Sequence, residues 1–305
     1  MKIHDVQLNG GLPETISLAV IQLKSPFDDE LEKGWQLGKC SLFIGDDTAE
    51  GYVARLKKLD ATLKWIRASL SPVHIILLPE YCFLKEDNPF DPEGRGTFKN
   101  LKDYSAECGT IVVGNYYSQE KRQSISFVII PPGFVGENGG AEEPREYLMP
   151  KMTVTAEEDD FANPPFEKLD TSDIAYRFWW TPGENDSAYF QVLTCKDYLY
   201  FTSVGPLRKY PDMIDIDHPG IILAPLCTPE MQTFESRATA MLRDVPSVGT
   251  DGALVTVFAN ATSIPGQHGP IITGRSQVVS PIDLRTCIKP VIERNVEGVI
   301  WAKIN

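Results

Sequence analysis

Histidine is nearly missing from this 305-residue chain: His4, His74, His218 and His268 are all there is, and no two are spaced as a ligand pair. That scarcity leaves little material for a histidine-built metal site or a Ser-His-Asp triad, so proton transfer must fall to another group. Positive charge is also in deficit. Lys and Arg number 29 against 42 Asp and Glu, a formal net charge of −13; such a field repels phosphate backbones and anionic lipid, which argues against nucleic acid and membranes as partners. Apolar runs such as Val73–Pro79 and Ile221–Leu226 fall far short of the roughly 18–20 residues a bilayer span needs. Residues 1–15 have no apolar signal core, so the expectation is a soluble, cytoplasmic protein. The six cysteines, Cys40, Cys82, Cys108, Cys195, Cys227 and Cys287, show no Cys-x-x-Cys pair and no framework spacing, and they read as free thiols.

What the chain does have is ordinary globular composition, 42% hydrophobic and 23% charged, with strand and helix patterns alternating along it. Ile16–Leu23 predicts a buried strand that breaks at Pro26. Ala49, Val53, Leu56, Leu59, Leu63, Ile66 and Leu70 recur at three- and four-residue steps, which predicts an amphipathic helix. Further strands are expected at Val73–Leu78, Thr110–Tyr117, Ile125–Ile130, Tyr189–Thr194, Ile221–Ala224, Ala253–Asn260, Arg275–Val279 and Val299–Ile304, with helices near Phe98–Cys108 and Met231–Leu242. Glu137–Glu146 reads as an exposed acidic loop, and Phe161–Pro182 as a long irregular cover without clean period. With no repeat, low-complexity tract or linker, residues 1–305 read as one α/β domain, residues 1–15 being a possible N-terminal extension.

Three strand exits carry reactive side chains, the place where α/β sheets tend to present ligands. In HIILLPEYC an apolar strand runs into Glu80, where poor solvation would raise the carboxyl pKa and suit it to proton shuttling; a turn cap in water is the plainer alternative. In EYLMPKMTVT, Lys151 is placed either to stabilise an oxyanion or simply to sit on the surface. In YFQVLTCKD, Cys195 is a potential nucleophile whose pKa the neighbouring Lys196 would lower, or else a buried apolar cysteine. Together they supply a nucleophile, a proton carrier and a cation in a chain almost without histidine.

The ordered set LAVIQL, LLPE with Glu80, YLMPK with Lys151 and VLTCKD with Cys195 resembles the nitrilase superfamily of carbon-nitrogen hydrolases. The resemblance continues through GIILAPL, ESRATAMLR, VTVFANAT, GRSQVVSPIDL and VIWAKI, and covers roughly residues 16–304. It implies a four-layer αββα sandwich of nitrilase type, commonly a homodimer or larger homo-oligomer, acting on a small-molecule amide without metal or organic cofactor. It also implies a Glu80-Lys151-Cys195 triad: Glu80 takes the thiol proton, Cys195 attacks, and Lys151 with the backbone N–H of Lys196 holds the oxyanion. A second carboxylate usually lies between lysine and cysteine; Glu167 and Asp170, in NPPFEKLD, are the candidates, ahead of Glu157 and Glu158. That stretch looks like the corresponding region of N-carbamoyl amino acid amidohydrolases, although a glutamate closes the motif there where Asp170 stands here.

After Cys195 this chain departs from the usual Arg-aromatic-Pro-Glu continuation, and Lys196-Asp197 in place of Trp-Glu points to amide or carbamoyl substrates over nitriles. Phe178, Trp179 and Trp180 either line an acyl pocket or belong to the core. Cys82 lies close enough to Glu80 in sequence to approach the pocket, and Asn260 either lines the site or secures a turn. An acyl- or amidotransferase of the same fold and a noncatalytic nitrilase-like scaffold are the rival functions.

Overall fold

The computed structural model describes residues 2–9, 12–23, 49–70, 72–84, 96–118, 123–135, 143–153, 174–180, 187–203, 211–215, 217–244, 254–264, 271–281, 287–288, 291–294 and 296–304. In chain order the strands are β1 (Lys2–Leu8), β2 (Ile16–Gln22), β3 (Ile75–Leu77), β4 (Phe83–Leu84), β5 (Ile111–Ser118), β6 (Gln123–Ile130), β7 (Arg145–Pro150), β8 (Ile174–Trp180), β9 (Ala188–Val192), β10 (Gly220–Leu226), β11 (Leu254–Asn260), β12 (Ser263–Ile264), β13 (Ile271–Ile272), β14 (Gln277–Pro281), β15 (Cys287–Ile288) and β16 (Gly298–Ile304). The helices are α1 (Ala49–Ser69), α2 (Thr97–Cys108), α3 (Lys196–Phe201) and α4 (Met231–Asp244).

Two large sheets result. One runs β1-β8-β9-β10-β11-β14-β15, the other β16-β2-β3-β5-β6-β7 with β4 beside β5. The central pairs β2–β3, β3–β5, β9–β10 and β10–β11 are parallel, while β16 closes antiparallel on β2 in the register Ile300↔Val20.

The continuous apolar runs follow from burial on both sheet faces. Leu18, Val20, Ile75, Leu77, Ile111, Val113, Val128 and Ile130 point at the other sheet and meet Phe178, Phe190, Val192, Ile221, Leu223, Val255 and Val257 in one inter-sheet core. The alternate residues Ala19, Ile21, Ile76, Leu78, Val112 and Phe127 face outward onto Leu59, Leu63 and Ile66 of α1 and Phe98 and Leu101 of α2. On the far side, Ile222, Ala224, Leu226 and Phe258 face Tyr198 and Phe201 of α3 and Met231, Phe234, Ala238 and Met241 of α4. The order helix, sheet, sheet, helix is the expected αββα sandwich, formed as a single domain. Helix α2 stops at Gly109, whose φ of 62° lets its N–H reach the Ser105 carbonyl.

Several segments differ from the sequence reading. Arg145 and Glu146, expected in the exposed loop, open strand β7 and pair with Ile130 and Ile129 of β6. Residues 174–180, expected to be irregular, form β8, paired parallel to β1 and antiparallel to β9. Within it Phe178 stacks on Phe190 with centroids 4.7 Å apart, and Trp180 lies in the same inter-sheet core. Trp179 projects from the other face, its indole N–H donating to Asp5 Oδ1 at 2.7 Å. The two inward rings are therefore core residues. Within residues 1–15, Lys2–Leu8 is an edge strand of the sheet, and the residues just after Cys195 form the short helix α3. Among the described residues no helix is long and apolar enough to cross a membrane.

Candidate active site

At one end of the sandwich the inner faces of the sheets change from apolar to polar while keeping the two-residue period of a strand. On β5 the sequence Ile111, Val113 continues to Asn115; on β6, Ile130 and Val128 give way to Ser126 and Ser124; β7 passes from Met149 to Lys151; and β9 from Phe190 and Val192 to Thr194. All of these polar residues are buried. The candidate site is built where that change occurs.

Glu80 leaves β3 through Leu78-Pro79 and is 1% exposed; Lys151 leaves β7 and is 4% exposed. The lysine Nζ donates to Glu80 Oε1 at 2.9 Å. Ser124 Oγ donates to the same oxygen at 3.1 Å, and the Ser124 carbonyl accepts the Lys151 backbone N–H at 2.9 Å. The solvated alternatives for Glu80 and Lys151 thus give way to a buried ion pair. The turn after Glu80 is pinned by Asn115, whose Oδ1 accepts from Tyr81 N at 3.0 Å and whose carbonyl accepts from Cys82 N at 3.1 Å. Tyr81 itself stands at φ 56°.

Cys195 leaves β9 with its N–H bonded to the Pro225 carbonyl at 3.0 Å, and Glu80 N reaches the next carbonyl, Leu226, at 3.2 Å. Consecutive residues of β10 therefore anchor the backbones of both. Cys195 has φ 45° and ψ −111°, a strained conformation for a residue with a side chain, caps α3, and is 6% exposed. A chain of buried hydrogen bonds joins its neighbour to the carboxylate: Thr194 Oγ1 with Ser126 Oγ, Asn115 Nδ2 to Ser126 Oγ at 3.2 Å and to Ser124 Oγ at 2.9 Å, then Ser124 to Glu80.

Asp197, two residues past Cys195, ties the third strand exit in. Its carboxylate accepts from Met152 N at 3.0 Å, Thr153 N at 2.6 Å and Thr153 Oγ1 at 2.6 Å, all on the turn that carries Lys151. Burial pushes the Asp197 carboxyl up to about 7, against the lowering effect of those donors and of the Lys151 charge.

The remaining sequence candidates separate. The Lys196 side chain is exposed, as the first residue of α3. Asn260 is fully buried, and its amide bonds the backbones of Thr228 (N at 2.9 Å, O at 2.8 Å) and Gly274 (O at 2.7 Å), the contacts of a turn-securing residue. Cys82 Sγ donates to the Asn115 carbonyl at 3.0 Å, and burial pushes its thiol up to about 12, too high for a nucleophile at neutral pH. Glu157, Glu158, Glu167 and Asp170 lie outside the described residues. Among the described residues no group of three His, Cys, Asp or Glu side chains is placed to hold a metal.

Sequence reasoning passed over Asn115, Ser124 and Ser126. The available signal was a single asparagine inside TIVVGNYY and serines at alternate positions in QSISFVII, runs otherwise largely apolar.

No protein-family model and no curated protein matches this sequence. Solved structures do. A CN-hydrolase superfamily protein from Xanthomonas campestris, described with an arsenic adduct in its active site, superposes with a TM-score of 0.54 at 11% identity over 96% of this chain and 91% of that one. A branch 10 nitrilase superfamily member from Saccharomyces cerevisiae gives 0.51 at 13% identity over 96% and 90%. A glutamine-dependent NAD+ synthetase from Acinetobacter baumannii, solved with ADP, gives 0.52 at 12% identity over 96% of this chain and 46% of that one. With its two stacked sheets and flanking helices, the chain has the fold of the nitrilase, or carbon-nitrogen hydrolase, superfamily structures.

Proposed function

We propose that this chain is a carbon-nitrogen hydrolase that cleaves a non-peptide amide or carbamoyl amide through a thioester on Cys195. The observation that carries the reading is the buried Lys151–Glu80 pair at 2.9 Å, set at the strand exits of one sheet with a strained cysteine at the exit of β9 in the other. Taking a carboxylate and an ammonium out of water costs free energy that their mutual attraction and hydrogen bonds must offset, and such pairs cluster at functional sites.

In this reading Glu80 accepts the Cys195 proton and the thiolate attacks the amide carbon. Lys151 Nζ and the Lys196 backbone N–H hold the oxygen as it becomes negative. Collapse of the tetrahedral intermediate breaks the C–N bond, Glu80 hands its proton to the departing amine or ammonia, and water activated by Glu80 hydrolyses the thioester. Sulfur, carboxylate and ammonium fill every role, so the scheme calls on no metal or organic cofactor. The same reading takes the protein as a cytoplasmic homodimer or larger homo-oligomer. The likeness to 46% of a glutamine-dependent synthetase chain favours one second reading, in which an amine replaces water at the thioester.

The test is ammonia release across a panel of amides, carbamoyl amino acids and nitriles, with and without Cys195→Ala. Turnover of an amide or carbamoyl compound that disappears in a folded Cys195→Ala protein is the expected result. Undiminished turnover in that variant overturns the proposal.

A further inference from the structure

Asp197 is buried at the candidate site, 2% exposed, yet the proposed reaction gives it no part. A carboxylate taken out of water is stable only where donors and charge replace the water. Here the donors among the described residues come from one turn: Met152 N at 3.0 Å to Oδ2, with Thr153 N and Thr153 Oγ1 at 2.6 Å each to Oδ1. These are the two residues that follow Lys151. The Lys151 N–H still bonds the Ser124 carbonyl of β6 at 2.9 Å, and past that bond the turn is held by Asp197. On its own side Asp197 closes the turn at the nucleophile. Its N–H donates to the Thr194 carbonyl at 2.9 Å, and Tyr198 N donates to the Cys195 carbonyl at 3.0 Å, which fixes the reach of the Asp197 side chain from Cys195. Lys151 leaves β7 of one sheet and Cys195 leaves β9 of the other, so these bonds span the two sheets.

We propose that Asp197 is a positioning residue for the oxyanion contact: by clamping the Lys151 turn to the start of α3, it sets the distance between the ammonium that holds the developing oxyanion and the sulfur whose attack creates it. The proposal rests on the hydrolase reading above. A group displaced by about 1 Å from the atom it serves can cost about 10²-fold in rate. The sulfur depends on a different anchor, since the Cys195 N–H is bonded to the Pro225 carbonyl of β10 at 3.0 Å, a contact that does not pass through Asp197. Loosening the clamp therefore slows reactions that build an oxyanion and spares a displacement that builds none.

The experiment compares two probes of Cys195, p-nitrophenyl acetate and iodoacetamide. With the ester, the sulfur adds to the carbonyl carbon, the thiol proton passes to Glu80, the carbonyl oxygen becomes negative, and the C–O bond breaks to release p-nitrophenolate and leave a thioacetyl group on the sulfur. With iodoacetamide the sulfur displaces iodide at a methylene carbon, and no carbonyl oxygen takes charge. Both rates are measured in the full-length wild type, Asp197→Asn, Thr153→Val and Thr153→Ser, with Cys195→Ala as background. In Asp197→Asn the new NH2 meets one of the backbone donors, and the ratio of ester rate to iodoacetamide rate falls about 10²-fold. Thr153→Val keeps both backbone bonds but loses the hydroxyl bond and lowers the ratio about tenfold, and Thr153→Ser restores it. That pair carries the test if Asp197→Asn does not fold. A fall of less than about tenfold in folded Asp197→Asn, or of less than about threefold in Thr153→Val, overturns this proposal and leaves the hydrolase reading standing. Wild-type Cys195 that reacts with either probe no faster than Cys108 removes both.

Discussion

Replacing Asp197 by Asn should change the pH dependence of stability by a calculable amount. The carboxyl is 2% exposed, and burial raises it from an ordinary 3.8 to about 7. A carboxyl that binds its proton more tightly when folded stabilises the fold fully below pH 3.8, and that contribution is lost as the pH rises through about 7. Integrating the proton linkage between about pH 5 and pH 8 gives about 3 kcal/mol in favour of the acid side for this group. Asparagine keeps the shape but does not titrate. Its NH2 also meets one of the two backbone donors, Met152 N or Thr153 N, at a cost of about 1–3 kcal/mol that is the same at both pH values. Urea unfolding of both proteins at the two pH values gives a double difference in which that offset and the titrations of distant groups cancel. The expected value is about 3 kcal/mol, the wild type losing more on going to the higher pH. A double difference below about 1 kcal/mol, or one of opposite sign, refutes the burial argument.

Other perturbations have equally definite outcomes. Lys151→Met leaves Glu80 buried beside an apolar chain and should cost about 3–5 kcal/mol in urea unfolding, whereas adding Glu80→Gln to it should recover part of the loss. Cys82 should remain unmodified under iodoacetamide conditions that label Cys195, as peptide mapping will show, because its thiol is pushed up to about 12. Gly220→Ala places a methyl 2.5 Å from the Tyr189 ring, so the melting temperature should fall by the equivalent of about 1–3 kcal/mol. Asn260→Ala strands the Thr228 N–H and two carbonyls, and should lower stability without shifting the pH midpoint of Cys195 alkylation.

The helix-covered strands were readable in the sequence wherever a strand is buried on both faces, because ISLAVIQL, HIILL and GIILAPL cannot be satisfied by any half-exposed element, whereas the four-layer arrangement followed from the family resemblance. Edge strands obey a weaker rule. Lys2–Leu8 has little hydrophobic weight and no clean alternation, Ile3 lying on the opposite face from Val6 and Leu8, and it is fixed by tertiary pairing to residues 174–180, 172 positions away in the register Lys2↔Ile174. Residues 174–180 were obscured by the aromatic and Pro-containing stretch around them, although Phe178 and Trp180 follow the alternation that sends them inward. In the candidate site, Glu80, Lys151 and Cys195 were visible because each ends an apolar run. Asn115, Ser124 and Asp197 were not, since their significance lies in hydrogen bonds between segments that only folding brings together.

The pairing of β2 with β16 sets a timetable for synthesis. Val20 meets Ile300 in the finished sheet, so the β2 edge must wait for about 280 further residues to be made. At ribosomal speeds of about 5–20 residues per second, that interval is on the order of 15–60 s. Throughout it the nascent ISLAVIQ segment presents an unclosed apolar edge, the kind of surface on which chains associate wrongly.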